Sequence, residues 1–293
     1  MKSIFLFGTQ IALALITSSA VLAGSQDIAV LSLAAPPAPE SPIHWYFGET
    51  VASKNYHYSH GINNGDNGPY FQTDLNLFAT LYRGNGFINQ VKFNVFTWYQ
   101  VTSQNEVPAS HDFRRWNEFD ANASIDVTFA KNFTFTVQSL NFFSPNNAFH
   151  EIHEVELALS YDDSWLLGPF ALHPAVNYQK DFIGNGAIKP YGNLFELLAF
   201  PSVQAVKGGP LPVKLTFPLA LGLGDNRFFG GNTFGYVAST VQADIGLGFI
   251  PKRFGSWTST STMTYYETND AVAARNNGKN HQLVFTTGLN VSF

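Results

Sequence analysis

Carboxylate side chains occupy alternate positions in several segments of this chain. The clearest segment is 115–129, in which Glu118, Asp120 and Asp126 alternate with apolar residues such as Ile125 and Val127. Successive side chains of a β-strand point to opposite faces, so these three carboxylates share one face of a predicted strand. Carboxylates gathered on one face attract cations and disfavour anions. The chemistry that this spacing predicts is therefore electrostatic.

The same alternation assigns a set of charged residues to the polar face of the predicted strands. The set is Asp74, Lys92, Glu118, Asp120, Asp126, Glu154, Glu156, Lys214 and Asp244. If the strands close into a barrel whose polar face lines a lumen, these are candidate pore-lining residues and the wall is mostly acidic. Such a wall favours small cations or neutral polar solutes over anions. The alternative is that the carboxylates pair with lysines and arginines and fill a closed interior.

The composition favours a chain that presents apolar surface to lipid. Apolar residues make up 45% of the chain and charged residues 13%, well below the roughly 25% charged residues of soluble domains. No stretch after the N-terminus reaches the roughly 18 consecutive apolar residues of a membrane helix. A chain that spans a bilayer without such helices must form a closed barrel, because only helices and closed barrels satisfy the backbone in hydrocarbon. The absence of cysteine excludes disulfides and thiolate sites, and the absence of a basic run disfavours nucleic acid as a partner.

The C-terminal segment 282–293 alternates between an apolar face and a small or polar face. Phe285, Leu289, Val291 and Phe293 fall on the apolar face, and the chain ends on an aromatic residue. This segment resembles the closing strand of bacterial outer-membrane β-barrel proteins, a class that includes the porins. The resemblance implies that these four residues form an assembly signal for the barrel-assembly machinery. It also implies that the protein lies in the bacterial outer membrane, in contact with its lipid.

Alternation and turn signals predict an all-β fold: a single-chain antiparallel transmembrane β-barrel of about 12 strands. The predicted strands are 43–51, 70–82, 87–101, 115–129, 133–143, 150–161, 169–182, 191–205, 211–223, 233–249, 256–267 and 282–293. Connections after odd-numbered strands are mostly the longer ones, and connections after even-numbered strands are mostly tight. Outer-membrane barrels have short periplasmic turns and longer extracellular loops, so both ends of the predicted barrel fall on the periplasmic side.

Three features disturb the alternation. Segment 191–205 carries apolar residues on both faces. Pro212 and Pro218 cannot donate to a strand ladder, so they predict an interrupted strand. A change of phase near Ser239 and Thr240 predicts a β-bulge.

The N-terminal residues predict export. Residues 1–23 have the pattern of a cleavable signal peptide, with Lys2 before an apolar core and Ala23 at the cleavage site. Residues 24–42 form a Pro/Ala-rich periplasmic lead-in. Residues 43–293 form the barrel.

The resemblance and the acidic face together predict a narrow outer-membrane channel for small cations or neutral polar solutes. The first alternative is a non-conducting structural or surface-binding barrel. The second is a lipid-modifying enzyme, since some outer-membrane barrels are phospholipases with a His and a Ser two residues apart, as His57 and Ser59 are. Those two residues fall in a predicted loop, and a nucleophile also needs an oriented base, so we predict no enzyme.

Histidines concentrate near the predicted extracellular ends of the strands. They are His57, His60, His111, His150 and His153. Imidazole and carboxylate groups bind divalent metals where loops converge, but spacing alone favours solvated loop side chains. We therefore predict no metal site and no cofactor.

Overall fold

The computed structural model describes residues 42–57, 62–65, 68–103, 113–183, 191–230 and 233–293. The strands are β1 (Ile43–Ala52), β2 (Asn55–His57), β3 (Ile62–Gly65), β4 (Tyr70–Arg83), β5 (Ile88–Thr102), β6 (Trp116–Phe129), β7 (Phe133–Phe143), β8 (Ile152–Tyr161), β9 (Ala175–Ile183), β10 (Asn193–Ala199), β11 (Ser202–Val206), β12 (Val213–Thr216), β13 (Leu219–Gly224), β14 (Phe234–Gly246), β15 (Ser256–Thr268) and β16 (His281–Ser292). Two short helices, α1 (Ser164–Leu167) and α2 (Asp270–Arg275), lie in connections. The predicted signal peptide and nearly all of the predicted lead-in lie outside the described residues.

The strands form a closed antiparallel barrel. The main sheet contains fourteen strands. They form twelve barrel strands, because β10 and β11 are two parts of one interrupted barrel strand, and so are β12 and β13. Each barrel strand pairs with its neighbours along the chain, and β1 pairs with β16 to close the barrel. The predicted twelve-stranded barrel is therefore confirmed. The remaining strands, β2 and β3, pair with each other in the connection between β1 and β4.

The two rims of the barrel differ in their connections. We call the rim with connections 53–69, 103–115, 144–151, 184–192, 225–233 and 269–280 the loop end. The opposite rim, the turn end, has connections 84–87, 130–132, 162–174, 207–212 and 247–255. Connection 162–174 contains α1 and a 3₁₀ turn, so the strand predicted to begin at residue 169 begins only at Ala175. Residues 169–174 begin and end with proline, and a proline has no N–H to donate to a strand ladder.

The outer surface between the rims is mostly apolar. Side chains that point away from the interior are large and exposed, as at Leu75, Leu197 and Phe285, each 48–49% exposed. Soluble monomers rarely expose apolar area this continuous, whereas a bilayer covers it. Among the residues that the structure describes, the helices are too short and too polar to cross a membrane.

The seam between β1 and β16 joins the two ends of the barrel. Its register runs from Tyr46 opposite Ser292 to Ala52 opposite Thr286. At the turn end, the rings of Trp45 and Phe293 stack with their centroids 4.1 Å apart. The Phe293 N–H donates to the Trp45 carbonyl at 3.0 Å. The terminal aromatic residue therefore fixes the last position of the closing ladder.

The structure resolves the three irregularities of the sequence pattern. Pro218 separates β12 from β13, which confirms the predicted interruption. The predicted bulge near Ser239 and Thr240 is wrong, because both residues pair regularly with β15. The register shift lies instead at Gly235, since Gly222 pairs with Tyr236 but Leu223 pairs with Phe234. The apparent change of phase arises because apolar residues occupy inward positions of β14.

Those inward apolar residues belong to one side of the barrel interior. The inner apolar cluster comprises Ala175, Leu194, Leu198, Ala220, Phe228, Phe229, Tyr236, Ala238, Tyr266, Val272 and Val284. In this cluster, inward side chains of the strands between β9 and β16 pack against side chains of connection 225–233 and of α2. Segment 191–205 therefore has apolar residues on both faces because its outer face is exposed and its inner face packs in this cluster.

Candidate functional site

An arc of carboxylates lies on the interior near the loop end, and it meets the inner apolar cluster at β9 and β10. Its members lie on β4, β6, β8, β9 and β10. We call them the acidic band: Asp74, Glu118, Asp120, Glu154, Glu156, Asp181 and Glu196. They share one wall because each occupies an inward position of an alternating strand.

Strand pairing places members of the acidic band next to one another. Asp74 and Asp120 both pair with Trp98, so two carboxylates flank one indole. Glu154 lies directly opposite Asp181. Side chains directly opposite across antiparallel strands have Cβ atoms about 4.5–5.5 Å apart, and like charges at that spacing repel. This wall therefore favours any cation that comes between them.

Neutral donors fix the orientation of part of the band. Asn177 Nδ2 donates to Glu196 Oε2 at 2.8 Å. The Tyr236 hydroxyl donates to the other oxygen of Glu196. Gln179 Nε2 donates to Glu154 Oε2. These three donors are uncharged side chains, so none of these contacts is an ion pair.

The acidic band is closely packed. No member has more than 4% of its surface exposed. Among the described residues, Asp120 Oδ1, Asn177 Oδ1 and Gln179 Oε1 are buried and have no hydrogen-bond partner. Burying such groups is costly unless donors or cations meet them. The band is thus a buried, oxygen-rich zone, and oxygen ligands suit hard cations.

The other predicted pore-lining residues lie nearer the turn end. Lys92 is directly opposite Asp126, and Lys214 is directly opposite Asp244. Asp126 also accepts a hydrogen bond from Thr136 Oγ1 at 2.8 Å. Each of these lysines faces an aspartate in register, whereas the members of the acidic band lie in the loop-end half. All of the predicted pore-lining residues lie on the inner face, but conduction past them stays a prediction.

Sequence reasoning missed Asp181 and Glu196. Asp181 falls on the inward phase of β9, and the alternation of Val176 and Tyr178 outward is the signal that could have found it. Glu196 stands between Leu194 and Leu198 on the inward side of β10, where apolar neighbours hide the polar face. Only the packing of the inner apolar cluster reveals why those leucines are inside.

Connection 225–233 brings two aromatic side chains inward at the loop end. Phe228 and Phe229 are each 1% exposed and pack in the inner apolar cluster. Asp225 begins this turn, accepting the Phe228 N–H at 2.8 Å and Asn193 Nδ2 at 2.5 Å. Burial acts to raise the pKa of Asp225, but these hydrogen bonds, with others from the Arg227 and Asn193 backbone, hold it below its usual value. The ionised carboxylate of Asp225 therefore stabilises this turn.

The predicted histidine and serine sites have mixed outcomes. The side chain of His57, and Ser59, His60 and His111, lie outside the described residues, so the enzyme and metal alternatives that use them stay predictions. His150 is exposed in connection 144–151. His153 lies on the outer face of β8, where it meets Asn141.

In the part of the chain that the structure describes, one group of side chains has the spacing of metal ligands. It consists of Asp162, Asp163 and His173 in connection 162–174. Asp163 Oδ1 accepts the N–H groups of Leu172 and His173 at 3.1 and 2.9 Å. His173 Nδ1 lies 3.5 Å from Asp162 Oδ1. Because the Asp163 carboxylate already accepts hydrogen bonds from backbone N–H groups, we interpret the group as one that stabilises the fold of this connection.

Replacing Asp163 with alanine is expected to lower the free energy of unfolding by about 1–3 kcal/mol at neutral pH, because two N–H groups lose their acceptor. Burial acts to raise the pKa of Asp163, but the hydrogen bonds from Leu172 and His173 lower it below its usual value. Stability from this group is therefore complete above the unfolded pKa of about 3.9, and it is lost as pH falls through the lower folded value. Urea unfolding of both proteins in detergent micelles between pH 7 and pH 2 measures the difference. A difference that stays constant over that range contradicts the assignment.

The predicted assembly-signal residues lie on the outer face of β16, with one exception in their exposure. Phe285, Leu289 and Phe293 are each 45–48% exposed. Val291 is only 5% exposed, because Gly255 of connection 247–255 and Trp257 of β15 pack beside it. Their role as a signal stays a prediction.

Comparison with known proteins adds a resemblance at the level of the class. No protein-family model and no curated protein matches the sequence. An outer-membrane channel of Pseudomonas putida F1 is similar in structure, with 9% identity, 88% of this chain and 97% of that chain covered, and a TM-score of 0.46. The NanC porin has 11% identity, coverage of 84% and 98%, and a TM-score of 0.43. The outer-membrane channel DcaP of Acinetobacter baumannii has 8% identity, coverage of 86% and 96%, and a TM-score of 0.36.

These likenesses are too distant to carry an argument about this chain. The closed pairing of its own strands carries the assignment of the fold. On that pairing and its apolar outer surface, the chain resembles bacterial outer-membrane β-barrel proteins as a class.

Proposed function

We propose that this protein is an outer-membrane channel for small cations or neutral polar solutes, with the acidic band as its selective zone. The observation that carries the proposal is the convergence of the seven carboxylates of the acidic band on one wall of the interior. A wall of one sign of charge between low-dielectric surfaces raises the local concentration of counter-ions. The same wall lowers the local concentration of anions, so the band selects by charge.

The position of the band supports selection by charge as well as size. At the turn end, Lys92 and Lys214 face aspartates in register, so a passing ion meets little net charge there. At the loop end, the acidic excess lies close to the rim that we assign to the extracellular side. An ion therefore meets the band soon after it enters.

A non-conducting barrel is the second candidate, and a specific observation favours it. The band is almost fully buried, and Phe228 and Phe229 pack within the interior at the same rim. An interior filled in this way supports a structural or surface-binding role. The two candidates differ in one measurable property, which is the passage of ions.

We further propose the cellular setting that this function requires. Residues 1–23 are the cleavable export signal, the closing strand is recognised by the barrel-assembly machinery, and the apolar outer face contacts outer-membrane lipid. The exposed apolar positions between the two rims support the last of these.

Planar-bilayer recording of the refolded protein tests the channel directly. We expect discrete conductance steps in potassium chloride, together with heat-modifiable migration on a gel that reports the folded barrel. Folded protein that gives no steps would exclude the channel and leave the non-conducting barrel.

A further inference from the structure

Connection 162–174 brings three side chains that can ligate a metal together at the turn end. Asp162 and Asp163 follow β8, and His173 lies two residues before β9. The ligand atoms of these three side chains all lie within 4.8 Å of one another. His173 Nδ1 is 3.5 Å from Asp162 Oδ1 and 3.8 Å from Asp163 Oδ1. The imidazole nitrogen and the two carboxylates therefore converge on one small space.

Hydrogen bonding does not account for the Nδ1 atom of His173. The atom is buried, and within the part of the chain that the structure describes it has no hydrogen-bond partner. At 3.5 and 3.8 Å, both carboxylate oxygens lie beyond the roughly 2.7–3.2 Å that is usual for an N–H···O hydrogen bond. Leaving a buried polar atom unpaired is costly. A ligand between Nδ1 and the two oxygens would remove that cost.

The separations between these atoms suit a metal ion. Zinc binds imidazole nitrogen and carboxylate oxygen at about 2.0–2.2 Å, usually in a tetrahedral arrangement. Two ligand atoms of such a tetrahedron lie about 3.3–3.6 Å apart. The 3.5 Å distance from His173 Nδ1 to Asp162 Oδ1 matches this spacing, and the 3.8 Å distance to Asp163 Oδ1 exceeds it slightly. A zinc ion therefore needs only a small inward movement of the side chains.

The Asp163 carboxylate can bind a metal ion and stabilise the connection at the same time. Its two oxygens offer about four acceptor positions. The Leu172 N–H is shared between Oδ1 at 3.1 Å and Oδ2 at 3.0 Å, and the His173 N–H donates to Oδ1 at 2.9 Å. Carboxylates that ligate a metal are commonly hydrogen-bonded as well, which orients them. The hydrogen bonds of Asp163 are therefore compatible with a metal ion.

The charge and the exposure of the group also favour a cation. In the described ranges of the chain, His173 is the one basic side chain within ion-pair distance of either carboxylate. The Asp162 side chain is 33% exposed and that of His173 16% exposed, so an ion can enter from solvent. Imidazole suits zinc and related transition metals, whereas calcium takes about six to eight oxygen ligands. The ligand set therefore favours a transition metal over calcium.

We propose that Asp162, Asp163 and His173 bind one divalent transition-metal ion of the zinc class at the turn end of the barrel. Three protein ligands leave a fourth position for water. The ion connects the residues that follow β8 to the residue that precedes β9, and so adds to the stability of connection 162–174. The proposal does not depend on conduction through the interior.

Isothermal titration calorimetry of the full barrel in detergent micelles tests this proposal. The protein is dialysed against EDTA and then titrated with zinc chloride at about pH 7.5, where a free imidazole is mostly neutral. The wild-type protein is expected to bind one zinc ion at this site. Asp162→Asn and His173→Gln are each expected to weaken that binding at least about tenfold, because each removes a ligand. Heat-modifiable migration on a gel shows that each variant is folded.

Two controls separate this site from other sources of zinc binding. His150→Gln removes an exposed histidine of connection 144–151 at the loop end and should leave the affinity unchanged. Calcium chloride at the same concentration should not displace zinc, because the site offers too few oxygen ligands. Equal zinc binding by the wild type and both ligand variants, an equal loss in His150→Gln, displacement by calcium, or folded wild-type protein that binds no zinc would each overturn the proposal.

Discussion

Replacing Gly288 with alanine is expected to impair closure of the barrel. Gly288 faces inward on the closing strand β16, opposite Thr50 of β1. A Cβ atom at this position would contact the Glu49 carbonyl oxygen and lie 2.6 Å from Thr50 Oγ1. The obstruction is backbone, so relief requires β1 and β16 to separate. Overpacking in a tight site costs about 1–3 kcal/mol, and here the cost falls on the pairs that close the sheet.

An engineered disulfide across the seam can report closure of the barrel, because the natural chain contains no cysteine. Phe47 and Val291 are register partners, and Cα atoms of antiparallel partners lie within the range that a disulfide bridges. With both replaced by cysteine, the barrel should form the crosslink and migrate as the heat-modifiable species. Adding Gly288→Ala should reduce both signals.

The matched control is Gly86→Ala in the turn 84–87. A Cβ atom at Gly86 meets nothing within 4 Å, so this change should leave the crosslink and the gel migration as they are. Equal effects of the two substitutions would mean that the seam is not as tight as the structure has it.

Removing charge from the acidic band is expected to abolish most of the preference for cations. The variant combines Glu118→Gln, Asp120→Asn and Glu154→Gln, which keep the shape of the side chains. Each carboxylate stabilises a nearby, partly hydrated cation by on the order of 1 kcal/mol. The loss of three should lower the ratio of potassium to chloride permeability at least about tenfold. Reversal potentials in a salt gradient measure the ratio.

The control for this variant removes the same number of charges outside the interior. Glu151, Glu267 and Asp270 are exposed residues near the loop end. Their amide replacements should leave the permeability ratio within about twofold of wild type, because exposed charges are screened by salt. A ratio that falls equally in both variants would locate selectivity at the mouth and not at the acidic band.

Most of the barrel follows from local alternation. Ile125 and Asp126 reveal their faces because each strand has a uniform lipid side and a uniform interior side, and the period of two repeats without help from distant residues. Closure also follows, since a transmembrane sheet cannot leave an edge in hydrocarbon. Phe293 predicts the last strand through the resemblance of segment 282–293 to the closing strand of outer-membrane β-barrel proteins.

The irregular parts depend on contacts that sequence alone does not display. Ala175 begins β9 late because connection 162–174 folds around the Asp163 carboxylate. Glu196 is hidden among leucines because Phe228 and Phe229 fold into the barrel from a distant connection. The hydrogen bond between His153 and Asn141 joins two strands, so neither residue signals this contact by itself.

The central claim is that this barrel passes small cations along an acidic interior wall. Its most direct test is the zero-current potential of the wild-type protein in a planar bilayer with a tenfold gradient of potassium chloride. The claim predicts a potential of cation sign that approaches the limit of about 59 mV for a monovalent ion. A potential of anion sign, or a folded barrel that carries no current, would contradict it.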